Sequence, residues 1–61
     1  MPLVQVSWWK GVGATERRRL VEEVTSTVAR VAKCPEAAVT VIITDVETDH
    51  WGRGGQLAAD L

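Results

Sequence analysis

The sequence predicts an α+β protein in which two parallel strands, one long helix and a C-terminal β-hairpin form a βαβ unit. Two apolar segments with strand character flank one long segment with helical period. This order in a short chain implies a right-handed crossover between parallel strands. A glycine-rich segment follows the second strand and predicts a tight hairpin. Because the chain has 61 residues, we expect residues 1–61 to form a single domain.

The first strand is predicted over Leu3–Trp9, where residues alternate between two faces. Both faces carry apolar side chains, so we expect neither face to be freely solvated. Glycines in the segment 11–13 then end the strand. Thr15 is the expected N-cap of the helix, with Glu16 in the first turn, where a negative charge suits the helix dipole.

The helix is predicted from Glu16 to about Lys33. Its β-branched residues weaken the intrinsic helix propensity, so we expect the helix to depend on packing against a sheet. The apolar positions form one stripe along the helix: Leu20, Val24, Val28 and Val31.

The second strand is predicted over Val39–Thr44, after a turn in which Pro35 can start a short helical turn. The strand is almost continuously apolar, which predicts a central strand covered on both faces. A polar connector is expected over residues 45–49. A hairpin over residues 50–55 and a short tail over residues 56–61 complete the chain.

Composition predicts that this small domain associates with other chains. The chain is 46% hydrophobic and carries three tryptophans. Chains of this length seldom supply enough core on their own, and one cysteine cannot form an internal disulfide. We therefore expect an oligomer that buries sheet and aromatic surface between subunits.

Charge and hydropathy argue against several classes of partner. The net charge is −1, and the longest basic run, Arg17–Arg19, lies on the helix beside Glu22 and Glu23. We therefore expect no nucleic-acid surface. No apolar stretch suggests a membrane span or a signal peptide, which predicts no membrane partner and a soluble, cytoplasmic protein. One histidine and one cysteine indicate no metal cluster.

Pro2 follows the initiator methionine, which is normally removed when the next residue is small. Removal of Met1 would expose a secondary amine at Pro2. Burial or a nearby cation disfavours the charged form of an amine, and a neutral amine can act as a base or a nucleophile. The alternative is structural, since a proline can start an edge strand where the missing N–H costs nothing.

The combined pattern closely resembles the 4-oxalocrotonate tautomerase family. It comprises Pro2 after Met1, a strand, a break near Gly11, an amphipathic helix, the Val-Ile-Ile-Thr strand at 41–44 and the segment His50-Trp51-Gly52-x-Gly54-Gly55. The resemblance covers essentially the whole chain. It implies a βαβ fold assembled as a hexamer, a trimer of dimers.

The resemblance also implies a cofactor-independent isomerase. The N-terminal proline of such proteins is the general base that moves a proton between oxygen and carbon of a small enol substrate, giving a 2-oxo acid. Pro2 matches that proline. Trp51 falls at the family's aromatic pocket position, and Trp9 matches a position that approaches the pocket.

Two family positions lack their usual arginines. Val12 and Thr40 stand where the resemblance implies cations that bind the substrate carboxylates. A buried carboxylate without a cation carries a large desolvation cost. Three explanations stay open. Arg53 replaces the lost cations; a partner subunit in a hetero-oligomer supplies them, leaving this chain non-catalytic or half-catalytic; or the chain has a shifted substrate or has lost catalysis.

Overall fold

The two strands of the βαβ unit lie side by side in a computed structural model that describes residues 1–61. Strand β1 spans Leu3–Trp9, helix α1 spans Ala14–Ala32 and strand β2 spans Thr40–Val46. The strands are parallel, and their register is unbroken over seven residue pairs. The predicted parallel crossover is therefore confirmed.

Helix α1 begins earlier than the sequence predicted. Its N-cap is Gly13, in extended conformation and without a side-chain capping bond, so the expected Thr15 cap is wrong. The Arg17 N–H donates to the Gly13 carbonyl oxygen at 3.1 Å, which places Thr15 inside the first turn. A carboxylate oxygen of Glu16 lies 2.7 Å from where a Cβ on Gly13 would stand. Any larger capping residue would displace that side chain.

Helix α1 ends in a left-handed residue, Lys33, with φ 56° and ψ 49°. The Cys34 N–H then donates to the Ala29 carbonyl oxygen at 3.0 Å. Pro35 precedes a 3₁₀ turn over Glu36–Ala38, which confirms the predicted short helical turn. The helix is not apolar enough over a sufficient length to cross a membrane.

Strand β2 is two residues longer at its end than predicted, because Asp45 and Val46 join it. Asp45 lies opposite Trp8 in the register, and the indole N–H of Trp8 donates to its carboxylate at 2.6 Å. The prediction that β2 is covered on both faces is wrong within one protomer. Helix α1 covers one face, and Ile42 on the other face is 44% exposed.

The predicted C-terminal hairpin is present, but it spans residues 52–57 and not 50–55, because the first two residues of the expected tail form its second strand. Strands β3, Gly52–Arg53, and β4, Gln56–Leu57, pair in antiparallel fashion. Gly54 and Gly55 have φ values of 59° and 83°, and positive φ at both central residues is what a tight two-residue turn requires. Two further 3₁₀ turns flank the hairpin, at Thr48–His50 and Ala58–Asp60.

One protomer encloses almost no core. Ala29 is the single buried residue of 61, although nearly half of the chain is hydrophobic. Leu3 and Trp9 are 56% and 50% exposed on the open face of the sheet. Each strand of the two-stranded sheet also has an unpaired edge. These surfaces favour association with further chains, although the hexamer stays a prediction.

A first prediction concerns this open surface. We expect the unfolding midpoint to rise with protein concentration, because association that buries the open sheet face stabilises only the folded state. Urea unfolding followed by tryptophan fluorescence at several protein concentrations measures the midpoint. A midpoint independent of concentration, with a monomeric mass in sedimentation, would contradict the prediction.

A second prediction concerns Lys33. Replacing it by glycine should raise the free energy of unfolding by about 0.5–1 kcal/mol, because glycine adopts the left-handed conformation without strain. The matched control is Arg30→Gly inside the last turn, which should lower the free energy of unfolding by about 1 kcal/mol. Denaturant unfolding at one protein concentration measures both variants, and a destabilised Lys33→Gly protein would refute the strain argument.

Candidate active site

Pro2 is held at the start of β1 by a backbone hydrogen bond. The Thr40 N–H donates to the Pro2 carbonyl oxygen at 3.0 Å, which ties Pro2 to the first residue of β2. Pro2 is half-buried, whereas Met1 is fully exposed with 101% relative accessibility. The sheet therefore fixes the position of the proline, while Met1 extends into solvent.

The two candidate aromatic residues meet at the other end of β1. The rings of Trp9 and Trp51 pack edge to face, with centroids 6.1 Å apart and an interplanar angle of 87°. Such pairs contribute roughly 0.5–1.5 kcal/mol beyond the area they bury. The Trp51 carbonyl oxygen also accepts a hydrogen bond from the Ala58 N–H at 2.7 Å. Together these contacts attach the C-terminal segment to the end of β1.

The candidate residues therefore form two separate groups. Pro2 and Trp9 stand at opposite ends of an extended strand, and seven steps of about 3.3 Å place their backbones about 23 Å apart. Pro2 cannot share a pocket with Trp9 and Trp51 of its own chain. The surface hollows of one protomer run along α1, and none is lined by these three residues.

The two positions that lack arginine also lie at opposite ends of β1. Thr40 lies beside Pro2 and is exposed, whereas half-buried Val12 follows Trp9 closely in the loop before α1. Arg53 is exposed on β3, and no carboxylate of the chain forms an ion pair with it. Its charge is therefore free to act on a ligand or on another chain.

Lys10 forms an ion pair that the sequence pattern did not predict. Its ammonium lies 3.0 Å from the Glu47 carboxylate, and its backbone N–H donates to the Val46 carbonyl oxygen. The hydrogen bond and the charge of Glu47 raise the pKa of Lys10, with a smaller contribution from Asp45. Lys10 is therefore a protonated surface group and not a candidate base.

Arg17 is a second residue that the sequence pattern did not single out as a site residue. Its guanidinium Nη1 donates to the Val12 carbonyl oxygen at 2.6 Å in a part-buried position. The basic run at the start of α1 was the available signal, but a run of charges alone does not show which side chain turns inward.

No three His, Cys, Asp or Glu side chains lie close enough together to hold a metal ion.

Comparison with known proteins identifies a family for the whole chain. The family model described as "Tautomerase enzyme" matches residues 2–61. A 2-hydroxymuconate tautomerase from Pseudomonas putida is 34% identical over 61 residues, covering 100% of this chain and 97% of that protein.

Solved structures agree in fold over nearly the same length. A heterohexamer 4-oxalocrotonate tautomerase from Chloroflexus aurantiacus is 28% identical, with a TM-score of 0.94 and coverage of 100% of this chain and 98% of that chain. A 4-oxalocrotonate tautomerase homologue of the tomaymycin biosynthetic pathway is 29% identical, with a TM-score of 0.93 and coverage of 97% and 91%.

The architecture and the sequence matches lead to the same assignment. The βαβ unit and the C-terminal hairpin are those of the solved relatives, and the sequence similarity extends from Pro2 to Leu61. The chain belongs to the tautomerase family, among the relatives of 4-oxalocrotonate tautomerase.

Proposed function

We propose that the chain is a subunit of a cofactor-independent tautomerase that converts the enol of a 2-oxo acid, or of a related carbonyl compound, into the keto form. Membership of the family supports isomerase activity. The finer proposal is that Pro2 is the general base. One observation carries it: Pro2 is held at the start of β1 by the Thr40 N–H, and the residue before it, Met1, is fully exposed.

The reaction needs no group beyond the amine of Pro2 and the substrate. After removal of Met1, the neutral amine accepts the proton of the enol hydroxyl. The electrons of that O–H bond form the carbonyl, and those of the enol C=C bond move to the next carbon, which then takes the proton. In a conjugated dienol the enol C=C electrons instead form the new central double bond, and those of the second double bond move to the distal carbon, which takes the proton. The protonated amine then delivers its proton to that carbon, so the net change is an isomerisation. One positioned base contributes roughly 10²–10⁴-fold to such a rate.

The site is proposed to form between protomers. The base lies at one end of β1 and the Trp9–Trp51 pair at the other, so the aromatic wall of each pocket comes from a neighbouring chain. Apolar walls disfavour the ammonium form and lower the pKa of an amine. A hexamer accommodates this arrangement, and one solved relative is described as a heterohexamer.

Binding of an anionic substrate requires a positive charge near the base. Val12 and Thr40 supply none, and a carboxylate buried without a cation is strongly disfavoured. Arg53 is one candidate, because it lies two residues after Trp51 in the same hairpin and has no ion-pair partner in the chain.

The second candidate function is that of a non-catalytic or half-catalytic subunit in a hetero-oligomeric enzyme. The absence of arginine at Val12 and Thr40 favours it, together with the similarity to the heterohexameric relative. A shifted substrate is the third possibility, and the homologue of the tomaymycin pathway supports it by showing this fold in a biosynthetic setting.

A third prediction tests the base. The protein purified from its native expression should have the mass of the chain without Met1, and it should ketonise phenylenolpyruvate. Pro2→Ala should lower kcat/KM for this reaction by about 10²–10⁴-fold, because the secondary amine is lost. The control is Pro35→Ala, which removes a proline from an exposed turn and should keep full activity.

Two outcomes of this experiment count against parts of the proposal. If the natively expressed protein retains Met1, Pro2 cannot be the base. Full activity of the Pro2→Ala variant would likewise remove Pro2 from the mechanism. A chain without Met1 that is inactive alone, but becomes active when assembled with a second tautomerase-family subunit, would favour the second candidate function.

A further inference from the structure

We propose that Arg17 binds a carboxylate of the substrate and supplies the cation that Val12 and Thr40 lack. This inference rests on the proposed function, because it assigns a residue to the same anionic substrate. Arg17 lies outside the motif that the resemblance implies. The proposal depends on where its guanidinium lies and on which other cations of the chain are already occupied.

The other basic residues are less suitable. The chain has seven lysines and arginines. Lys10 is paired with Glu47 at 3.0 Å, and Arg19 with Glu23 at 3.5 Å. Arg30 and Lys33 lie at the far end of α1, which is about 28 Å long for its 19 residues. Arg18 and Arg53 remain, and both are exposed.

Arg17 combines partial burial, a fixed position and unused hydrogen-bonding capacity. Its Nη1 donates to the Val12 carbonyl oxygen at 2.6 Å, so the side chain turns back from the first turn of α1 onto the preceding loop. A guanidinium has five N–H donors in a planar fork, and this bond uses one of them. No carboxylate of the chain forms an ion pair with Arg17. The remaining donors suit a two-point contact with a carboxylate.

The location of Arg17 also matches the proposed pocket. Val12 is three residues beyond Trp9, so the guanidinium lies at the same end of the sheet as the Trp9–Trp51 pair. A substrate with one end at the base of a neighbouring chain would present its other end to this region. Arg17 is only part-buried, so its side chain stays accessible from solvent.

Glu16 does not neutralise this charge. A carboxylate oxygen of Glu16 lies 2.7 Å from the position of a Cβ on Gly13, at the start of α1, and the side chain makes no ion pair with Arg17. The acid is therefore directed to the N-terminal end of the helix, where a negative charge is favourable. This leaves the Arg17 guanidinium as the unpaired, part-buried cation at this end of the molecule.

The test uses a dicarboxylate that cannot tautomerise. Binding of cis,cis-muconate to the assembled protein without Met1 is measured by calorimetry. Arg17→Gln should weaken the affinity roughly 10- to 100-fold, because a hydrogen-bonded charge contact is lost. The control, Arg19→Gln, removes the same charge two residues away and should change the affinity by less than about twofold, because exposed pairs contribute little. Affinity for the neutral dimethyl ester of muconate should be unaffected in both variants.

Further arms separate this inference from the proposed function and from a purely structural role. The same comparison is repeated in the Pro2→Ala background, where Arg17→Gln should again weaken muconate binding roughly 10- to 100-fold relative to Arg19→Gln. The result for Arg17 therefore does not depend on Pro2 being the base. If Arg17→Gln does not fold, Arg17→Lys keeps the charge but loses the fork, and should weaken muconate binding by about threefold or more. The inference would be overturned if the Arg17 variants bind muconate with wild-type affinity, or if they lose equal affinity for muconate and for its ester. It would also be overturned if the wild type does not bind muconate.

Discussion

The length of β1 is the constraint on which the rest of the structure depends. Seven steps of extended backbone separate Pro2 from Trp9 by about 23 Å, and β1 pairs with β2 in parallel along its whole length. One chain therefore presents a base at one end and an aromatic wall at the other. The same small sheet buries only Ala29. This exposed apolar surface favours association with a neighbouring chain, and the proposed catalysis depends on it.

The proposed chemistry also balances two opposing electrostatic demands. Apolar walls from Trp9 and Trp51 favour a neutral amine, but they make burial of an anionic substrate unfavourable. A preorganised cation satisfies both demands, because it disfavours protonation of the amine and stabilises the anion. Lys10 cannot serve, since Glu47 already holds its ammonium at 3.0 Å. Arg17 is fixed by the Val12 carbonyl oxygen and retains free donors, which makes it better suited to this role.

Local sequence patterns were enough for the fold but not for the details of the site. Alternating residues predicted β1, and the glycine-rich segment 50–55 predicted a tight hairpin, whose turn the positive φ values place at Gly54 and Gly55. The Thr15 cap was wrong because Gly13 starts the helix. Propensity ranks threonine and glycine similarly at this position, so pattern alone could not separate them.

The contacts that escaped prediction join residues far apart in the chain. The pairs Trp8–Asp45 and Lys10–Glu47 are each separated by 37 positions, and both arise from the register of β1 against β2. No local periodicity carries that register. The inward turn of Arg17 depends likewise on where the loop places the Val12 carbonyl oxygen, which composition and spacing do not show. The resemblance identified Pro2 and Trp51 individually, whereas their separation within one chain required the structure.

The most direct test of a site shared between chains is complementation. Pro2→Ala and Trp51→Ala proteins, each weakly active alone, are unfolded together, refolded as a mixture and assayed with phenylenolpyruvate. If each site takes Pro2 from one chain and Trp51 from another, mixed assemblies contain some sites with both residues intact, and activity should exceed the sum of the two separate proteins. Activity no greater than that sum, in assemblies shown by mass spectrometry to be mixed, would contradict the shared site.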